Sequence, residues 1–250
     1  MSANPFPDEQ SLYEPVEAFW QSQGYEVKGE VKDCDVVAIR AQEEPVLIEL
    51  KLSFNIQLLT QAARRKKISS TVYVAIPEPS QRKRASDWKM ICRAMNIGLL
   101  FVTSEYIVLE VVTPTSRTTS KPIRKSKKRK ALMKEFSTRK SNQNRGGSTR
   151  KKLLTAYREQ AITIAYSLIQ HEQGLSALDV RKQSGVVRTS DILRTNVYGW
   201  FERHDPKLNL KGKQPRPFYT ITETGKLEYA DWNTKWTNPM QENNLKLPES

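Results

Sequence analysis

The chain has 250 residues, enough for one large domain or two small ones, and its 38% hydrophobic residues favour folded parts joined by a polar segment. No apolar run approaches the roughly 18 residues of a membrane helix, and the start lacks the basic-then-apolar pattern of a signal peptide. Two cysteines and two histidines are too few for a disulfide framework or a zinc site. We therefore expect an intracellular protein, cytoplasmic or nucleoid-associated, with no membrane partner.

The net charge of +14 is concentrated in one part of the chain. Residues 114–152 hold 15 Lys and Arg against one acid, whereas residues 1–113 carry a net charge of −2 and residues 153–250 a net charge of +2. A run that repels itself and has little apolar surface to bury is expected to be flexible. This predicts domains at 1–113 and 153–232, a basic flexible linker at 114–152 and a disordered tail at 233–250.

The partner of the linker is expected to be a polyanion, because each cation that neutralises a phosphate releases a counterion. We predict nucleic-acid contacts from its densest cluster, which comprises Lys127, Lys128, Arg129 and Lys130. A solubilising or nuclear-targeting run is the other interpretation of the same residues.

Helical and strand-like patterns alternate along the first domain. The predicted order is a helix at 11–23, strands at 25–31, 35–41 and 46–52, a helix at 55–68, a strand at 71–76, a helix at 86–96, and strands at 99–103 and 106–112. This order predicts a mixed α/β sandwich with a three-stranded meander at its centre.

Charged side chains interrupt the third of these strands. Glu49 and Lys51 occupy alternate positions of an otherwise apolar segment, so they are expected on one face of the strand. Asp35 is expected near Glu49, because a short connection joins their two strands. Two carboxylates and one amine suit phosphodiester chemistry: the acids hold Mg²⁺ or Mn²⁺, and the amine orients water or neutralises charge. An internal ion pair on a partly exposed face is the alternative interpretation.

These residues, in this order of elements, resemble the PD-(D/E)XK nuclease superfamily. Three segments, at 25–31, 34–38 and 49–54, look more closely like a poorly characterised family of PD-(D/E)XK phosphodiesterases. The resemblance implies a restriction-endonuclease-like α/β fold, a mixed sheet flanked by helices, with Asp35 and Glu49 as metal ligands and Lys51 as the catalytic lysine. The proline of the motif is absent, since Cys34 precedes Asp35.

The resemblance extends to two further places. Many members of the superfamily carry a glutamate on the first helix, for which Glu14 and Glu17 are the candidates here. Several carry Gln-x-x-x-Tyr/Arg on the helix after the motif, which implies a catalytic role for Gln61, one helical turn before Arg65. Arg64 and Arg65 are predicted to contact the substrate backbone, although cations also suit this end of a helix through its dipole alone.

The second domain has a different pattern. We predict helices at 153–170, 177–183 and 191–203, a basic hairpin at 205–217, a strand at 218–221 and a helix at 222–232. Three helices followed by a basic hairpin resemble an α+β winged helix. The resemblance implies DNA contacts from Arg188, Arg194 and Asn196 near the recognition helix and from Lys211 and Lys213 in the wing. A winged helix used only for protein contacts is the alternative.

The sequence thus predicts a metal-dependent phosphodiesterase or endonuclease that cleaves DNA, with the basic linker and the winged helix positioning the nucleic acid. DNA is favoured over RNA because a winged helix suits the B-form major groove. A double-strand cut requires two active sites, which leaves a homodimer open. Two alternatives remain: a non-catalytic, sequence-specific DNA-binding regulator with the nuclease-like domain as a scaffold, and an interaction protein whose basic segment binds RNA or an acidic partner.

Overall fold

The computed structural model of the chain describes residues 5–115, 126–147, 152–206 and 216–234. The chain divides into two compact units, Met1–Leu154 and Thr155–Ser250. Within the described ranges, no helix combines the length and the apolar character that a bilayer crossing requires.

A six-stranded mixed sheet forms the centre of the first unit. Its strands are β1 (Glu26–Val31), β2 (Cys34–Ile39), β3 (Val46–Leu50), β4 (Thr71–Pro77), β5 (Gly98–Val102) and β6 (Val108–Val112). They lie in chain order across the sheet; β3, β4 and β5 are parallel, and the other neighbours are antiparallel. The expected mixed α/β fold is confirmed, but the meander β1–β2–β3 occupies one edge, and β3 and β4 are the central strands.

Helices cover both faces of this sheet. A 3₁₀ turn (Glu9–Leu12) and α1 (Tyr13–Ser22) pack on one face, and α2 (Ile56–Arg65), α3 (Arg82–Met95) and α4 (Lys127–Thr138) pack on the other. Side chains alternate along β3, so Ile48 packs with the α1 layer whereas Leu47 packs with the α2 layer. Glu49, two residues after Leu47, lies on the same face of β3 and is fully buried. The fold therefore places one carboxylate inside the sandwich.

Helix α4 lies within the segment predicted to be a flexible linker, and here the structure differs from that prediction. Leu132 and Phe136 are buried in the core beneath the sheet, and the Ser126 side chain caps the helix by accepting from the Arg129 N–H at 3.2 Å. The buried Lys28 ammonium of β1 donates to the carbonyl oxygens of Phe136 and Arg139, at 2.8 and 2.6 Å. Burial of this apolar stripe outweighs the repulsion among the surrounding cations.

The segment after α4, residues 139–147, continues along the same unit, and we call it the strap. Its first residue, Arg139, is 1% exposed and donates to the carbonyl oxygens of Gly29 and Glu30 in β1, at 2.7 and 3.1 Å. Near its end, a Cβ added at Gly146 would lie 2.4 Å from the Asp35 carbonyl oxygen. Only glycine lets the strap approach β2 this closely.

The second unit combines helices with a small sheet. Its elements are α5 (Ala156–Ile169), β7 (Leu175–Ser176), α6 (Ala177–Ser184), α7 (Thr189–Thr195), β8 (Phe201–His204), β9 (Phe218–Ile221) and α8 (Glu223–Asn233), and the strand order is β7-β9-β8. The helix predicted at 191–203 ends early, because Asn196 and Gly199 adopt positive φ angles of 41° and 67°. The wing positions 207–215 and the tail from 235 lie outside the described residues.

Candidate active site

The two predicted metal ligands come together across β2 and β3. The antiparallel pairing of Val36 with Ile48 places Asp35 directly opposite Glu49. Residues in such opposing positions have Cβ atoms about 5 Å apart on the same face of a sheet. The carboxylate of Asp35 also accepts a hydrogen bond from the Leu50 N–H at 2.8 Å, which fixes it against β3. The proximity expected from the short connection between the strands is therefore present in the structure.

Burial raises the pKa of both acids, and the negative charge of Glu49 adds to the rise at Asp35. Burial, followed by the negative charge of Glu49, raises the pKa of Asp35 to about 8, and Glu30 and Glu9 add smaller contributions of the same sign. Burial also raises the pKa of Glu49, against the opposing effect of the Arg65 guanidinium. A cation that bound both carboxylates would relieve this repulsion and favour their charged forms.

Glu49 uses only one of its two carboxylate oxygens within the protein. Oε1 pairs with Nε of Arg65 at 2.5 Å and accepts a weak bond from the Cys34 thiol at 3.6 Å. Oε2 is buried and has no hydrogen-bond partner among the described residues. A buried carboxylate oxygen without a partner is costly, so this atom provides a place for a ligand.

The carboxylate pair fits a magnesium-like ion better than a metal held wholly by protein. Among the described residues, no three His, Cys, Asp or Glu side chains are grouped closely enough to form a complete metal cage. Mg²⁺ usually retains several waters and binds through one or two carboxylates together with substrate phosphates. Asp35 and the free oxygen of Glu49 match that donor set.

The third residue of the motif, Lys51, contacts an acid that the sequence analysis missed. Its ammonium pairs with Glu9 at 2.6 Å, and each side chain is 22% exposed. Lys51 also lies close enough to Glu49 to lower the pKa of that acid. The Asp8 side chain caps the turn that carries Glu9 by accepting from the Ser11 N–H at 2.9 Å. That Asp-x-x-Ser pattern is the local signal that could have revealed the turn.

Glu14 and Glu17, the acids predicted on the first helix, contact the strap instead of the motif residues. Glu14 pairs with Arg145 at 2.8 Å on the surface, and Glu17 accepts from the Asn142 amide at 2.5 Å and from the Tyr13 hydroxyl at 3.2 Å. Both carboxylates thereby help hold the strap. Glu9, one turn earlier, is the acid of this region that lies beside Lys51.

Helix α2 contributes the two residues of the second predicted motif. Arg65 is committed to Glu49 and to the carbonyl oxygen of Asp33, so the structure gives it an internal role instead of the predicted contact with nucleic acid. Gln61 lies one turn earlier on the same helix face, and its Oε1 is buried without a partner among the described residues. Arg64 is exposed and remains a predicted contact.

The basic cluster at the start of α4 is divided between internal and exposed positions. Arg129 donates to Glu44 at 2.5 Å and to the Ile68 carbonyl oxygen at 3.1 Å, so its charge is used within the fold. Lys127, Lys128 and Lys130 are exposed. Only these three lysines of the cluster remain predicted contacts with nucleic acid.

In the second unit, some of the predicted DNA contacts are exposed, whereas one is used in hydrogen bonds within the fold. Arg188 and Arg194 are at least half exposed and both pair with Asp191, at 3.5 and 3.0 Å. Asn196 is structural, because its amide donates to the Phe201 carbonyl at 2.6 Å and accepts from the Phe201 N–H at 3.1 Å. Its prediction as a base-reading residue does not fit this geometry. Lys211 and Lys213 lie outside the described residues.

Comparison with known families adds an independent observation. The profile of the family described as "Putative PD-(D/E)XK phosphodiesterase (DUF2161)" matches residues 100–227, about half of the chain. The chain belongs to this family. The description of this PD-(D/E)XK phosphodiesterase family suggests a hydrolase that acts on phosphodiester bonds.

The matched range extends from β5 to α8, so it excludes the strands that carry Asp35 and Glu49. The assignment of those acids within the PD-(D/E)XK phosphodiesterase fold rests on their register and burial. Neither the curated proteins nor the solved structures that were compared gave a match.

Proposed function

We propose that the chain is a nuclease that cleaves DNA with the help of Mg²⁺ or Mn²⁺. The observation that carries this proposal is the pair of carboxylates of the buried Glu49 and the partly buried Asp35, on adjacent strands, with one oxygen of Glu49 unpartnered among the described residues. These two residues would hold the ion. When bound, such an ion polarises the phosphodiester and lowers the pKa of a coordinated water.

The protein groups around the pair have complementary tasks. Arg65 orients Glu49 through Oε1 and leaves Oε2 free. Lys51, beside Glu9 and partly exposed, is placed to neutralise the negative charge that develops on the phosphate oxygens. Glu9 holds the ammonium in place before substrate arrives.

The second unit supports DNA as the substrate. It has a helix, a short strand, two helices and a two-stranded hairpin in succession, an order typical of winged helices. Arg188 and Arg194, on and beside α7, are proposed to contact DNA, since their shared partner Asp191 is exposed and neutralises them only in part.

The proposed function is tested by incubating the full chain with duplex DNA. Cleavage is expected with Mg²⁺ or Mn²⁺ and should be absent in EDTA. A Lys51→Ala variant should cleave about 10²-fold more slowly, because the phosphate charge loses one electrostatic partner. Arg40→Ala is the matched control, since it removes a cation that pairs with Glu43 elsewhere on the surface. Equal rates for wild type and Lys51→Ala would contradict the assignment of Lys51.

Metal-free stability should depend on pH through Asp35. Its pKa is raised from 3.8 to about 8 in the folded protein, so folding favours its neutral form, and this stability is lost as the pH rises from about 4 to about 8. An Asp35→Asn variant removes the titration but keeps an acceptor for the Leu50 N–H. In EDTA near pH 8 it should melt on the order of 10 °C above wild type, and the difference should vanish near pH 4. A constant difference across this range would contradict the inferred ionisation.

A second candidate function rests on the same order of elements in the second unit. A DNA-binding regulator that retains the nuclease-like fold as a scaffold would bind a specific sequence equally well in EDTA. It would also bind normally after Asp35→Asn, and it would never cleave. Sequence-specific binding without cleavage under any divalent ion would favour this candidate.

A further inference from the structure

The three helices on the sheet face opposite α1 form one continuous surface, which we call the helix layer (α2, α3 and α4). The Lys66 ammonium, just after α2, donates to the carbonyl oxygens of Met95 and Asn96 at the end of α3, at 2.6 and 3.1 Å. On the other side, Arg129 of α4 donates to the Ile68 carbonyl oxygen beyond α2, at 3.1 Å. The end of α2 is therefore tied to both neighbouring helices.

The outward side of α3 is strongly basic. Arg82, Lys83 and Arg84 are exposed in its first turn, and Arg93 is exposed in its last turn. Asp87 is the single acid within the helix. None of the four cations forms an ion pair with a carboxylate among the described residues, so their charges face solvent uncompensated.

The two other helices extend the same surface. Helix α4 exposes four lysines between Lys127 and Lys134, and its only acid, Glu135, is buried. The end of α2 adds the exposed residues Arg64 and Lys67. Within the described part of the chain, these six cations also lack an ion-pair partner. Because α4 packs on the sheet, its charges have fixed positions on the first unit instead of belonging to a flexible linker.

The elements on the opposite face of the sheet carry acids instead of cations, and two of these acids are already paired, Glu9 with Lys51 and Glu14 with Arg145. The 3₁₀ turn and α1, from Glu9 to Ser22, contain three glutamates and no Lys or Arg, and Asp8 directly precedes them. Solubility requires a net charge but gives no reason to separate the two signs between the faces of one sheet. The exposed cations of the helix layer, which have no ion-pair partner among the described residues, therefore indicate an anionic partner for this face.

We propose that the helix layer is a binding surface for the phosphate backbone of a nucleic-acid duplex. Helix α3, with 14 residues, is about 21 Å long, and three helices packed side by side span about 20 Å. Duplex grooves are about 6 and 12 Å wide, so the layer reaches phosphates on both strands. The inference rests on the proposed function, because the bound duplex is taken to be the DNA substrate. It adds where the backbone of that substrate is held.

The proposal is tested by measuring duplex binding without any divalent ion. The full chain in EDTA is titrated with a short fluorescent duplex at a series of potassium chloride concentrations. Replacing Arg82, Arg84 and Arg93 together by Gln removes three phosphate contacts. The slope of log affinity against log salt should fall in magnitude by about 2.7, and the affinity at about 0.1 M salt should fall on the order of 100-fold.

The matched control neutralises three exposed cations of the second unit, Arg181, Lys182 and Lys226, and so changes the net charge equally. It should bind nearly as tightly as wild type. If the α3 variant has lost its circular dichroism signal, the triple replacement of Lys127, Lys128 and Lys130 by Gln gives the same test. Unchanged binding by the helix-layer variant, or equal losses in variant and control, would overturn the proposal. Absence of cleavage would contradict the proposed function alone, since binding is measured without metal.

Discussion

A Glu49→Gln variant is expected to lose about 10³-fold in the rate of DNA cleavage while remaining folded. Glutamine retains the size of glutamate and an oxygen for Arg65, so the substitution changes mainly the charge offered to a divalent ion. Removing the negative charge relieves the repulsion at Asp35 but leaves the Arg65 guanidinium without its carboxylate, so the two effects on stability oppose each other. The measurement is a single-turnover cleavage rate at saturating Mg²⁺, together with a thermal melt.

Glu14→Gln is the appropriate control for this substitution. Glu14 is a candidate site residue in the sequence analysis, but its carboxylate pairs with Arg145 on the surface. We expect cleavage within about twofold of wild type, since surface ion pairs contribute little. If Glu14→Gln were inactive and Glu49→Gln active, the site would have to be placed elsewhere in the fold.

A Phe136→Ala variant is expected to lower the free energy of unfolding of the first unit by about 3–5 kcal/mol. Phe136 is 3% exposed, lies in the core beneath the sheet, and has the Lys28 ammonium 4.7 Å from its ring centre. If residues 114–152 were a flexible linker, the same substitution would have almost no effect. The measurement is urea denaturation monitored by hydrogen exchange of the β1 amides, which reports the free energy of unfolding of this unit alone.

The control for this substitution is Lys134→Ala, two positions earlier on the same helix. Lys134 is exposed, so its replacement should change stability by no more than about 0.5 kcal/mol. Equal stability of both variants would show that α4 does not contribute to the core.

The sequence could predict those parts of the site that depend on local pattern. Acids on two strands joined by a short connection predicted the juxtaposition of Asp35 and Glu49, since hairpin register follows from the connection. Glu9 was missed because its contact with Lys51 joins positions far apart in the chain. Gln61 and Arg65 were recognised as a pair, but the commitment of Arg65 to Glu49 depends on how α2 packs on β3.

Helix α4 shows why composition misled the domain prediction. Charge density indicated disorder, yet Leu132, Met133 and Phe136 repeat at helical spacing behind the capping residue Ser126. That weaker signal would have predicted the helix. The segment from 191 to 203 is the opposite case, since its apolar pattern suggested one helix while the αL conformations of Asn196 and Gly199 ended it.

The close approach of Gly146 to the Asp35 carbonyl oxygen carries a consequence for how the sequence can evolve. Even a single methyl group there would force either the strap or β2 to move, and movement of β2 would separate Asp35 from Glu49. Substitution of this glycine during evolution should therefore be as restricted as substitution of Asp35 and Glu49. Relatives that keep the acids but replace the glycine would need a rerouted chain at this crossing.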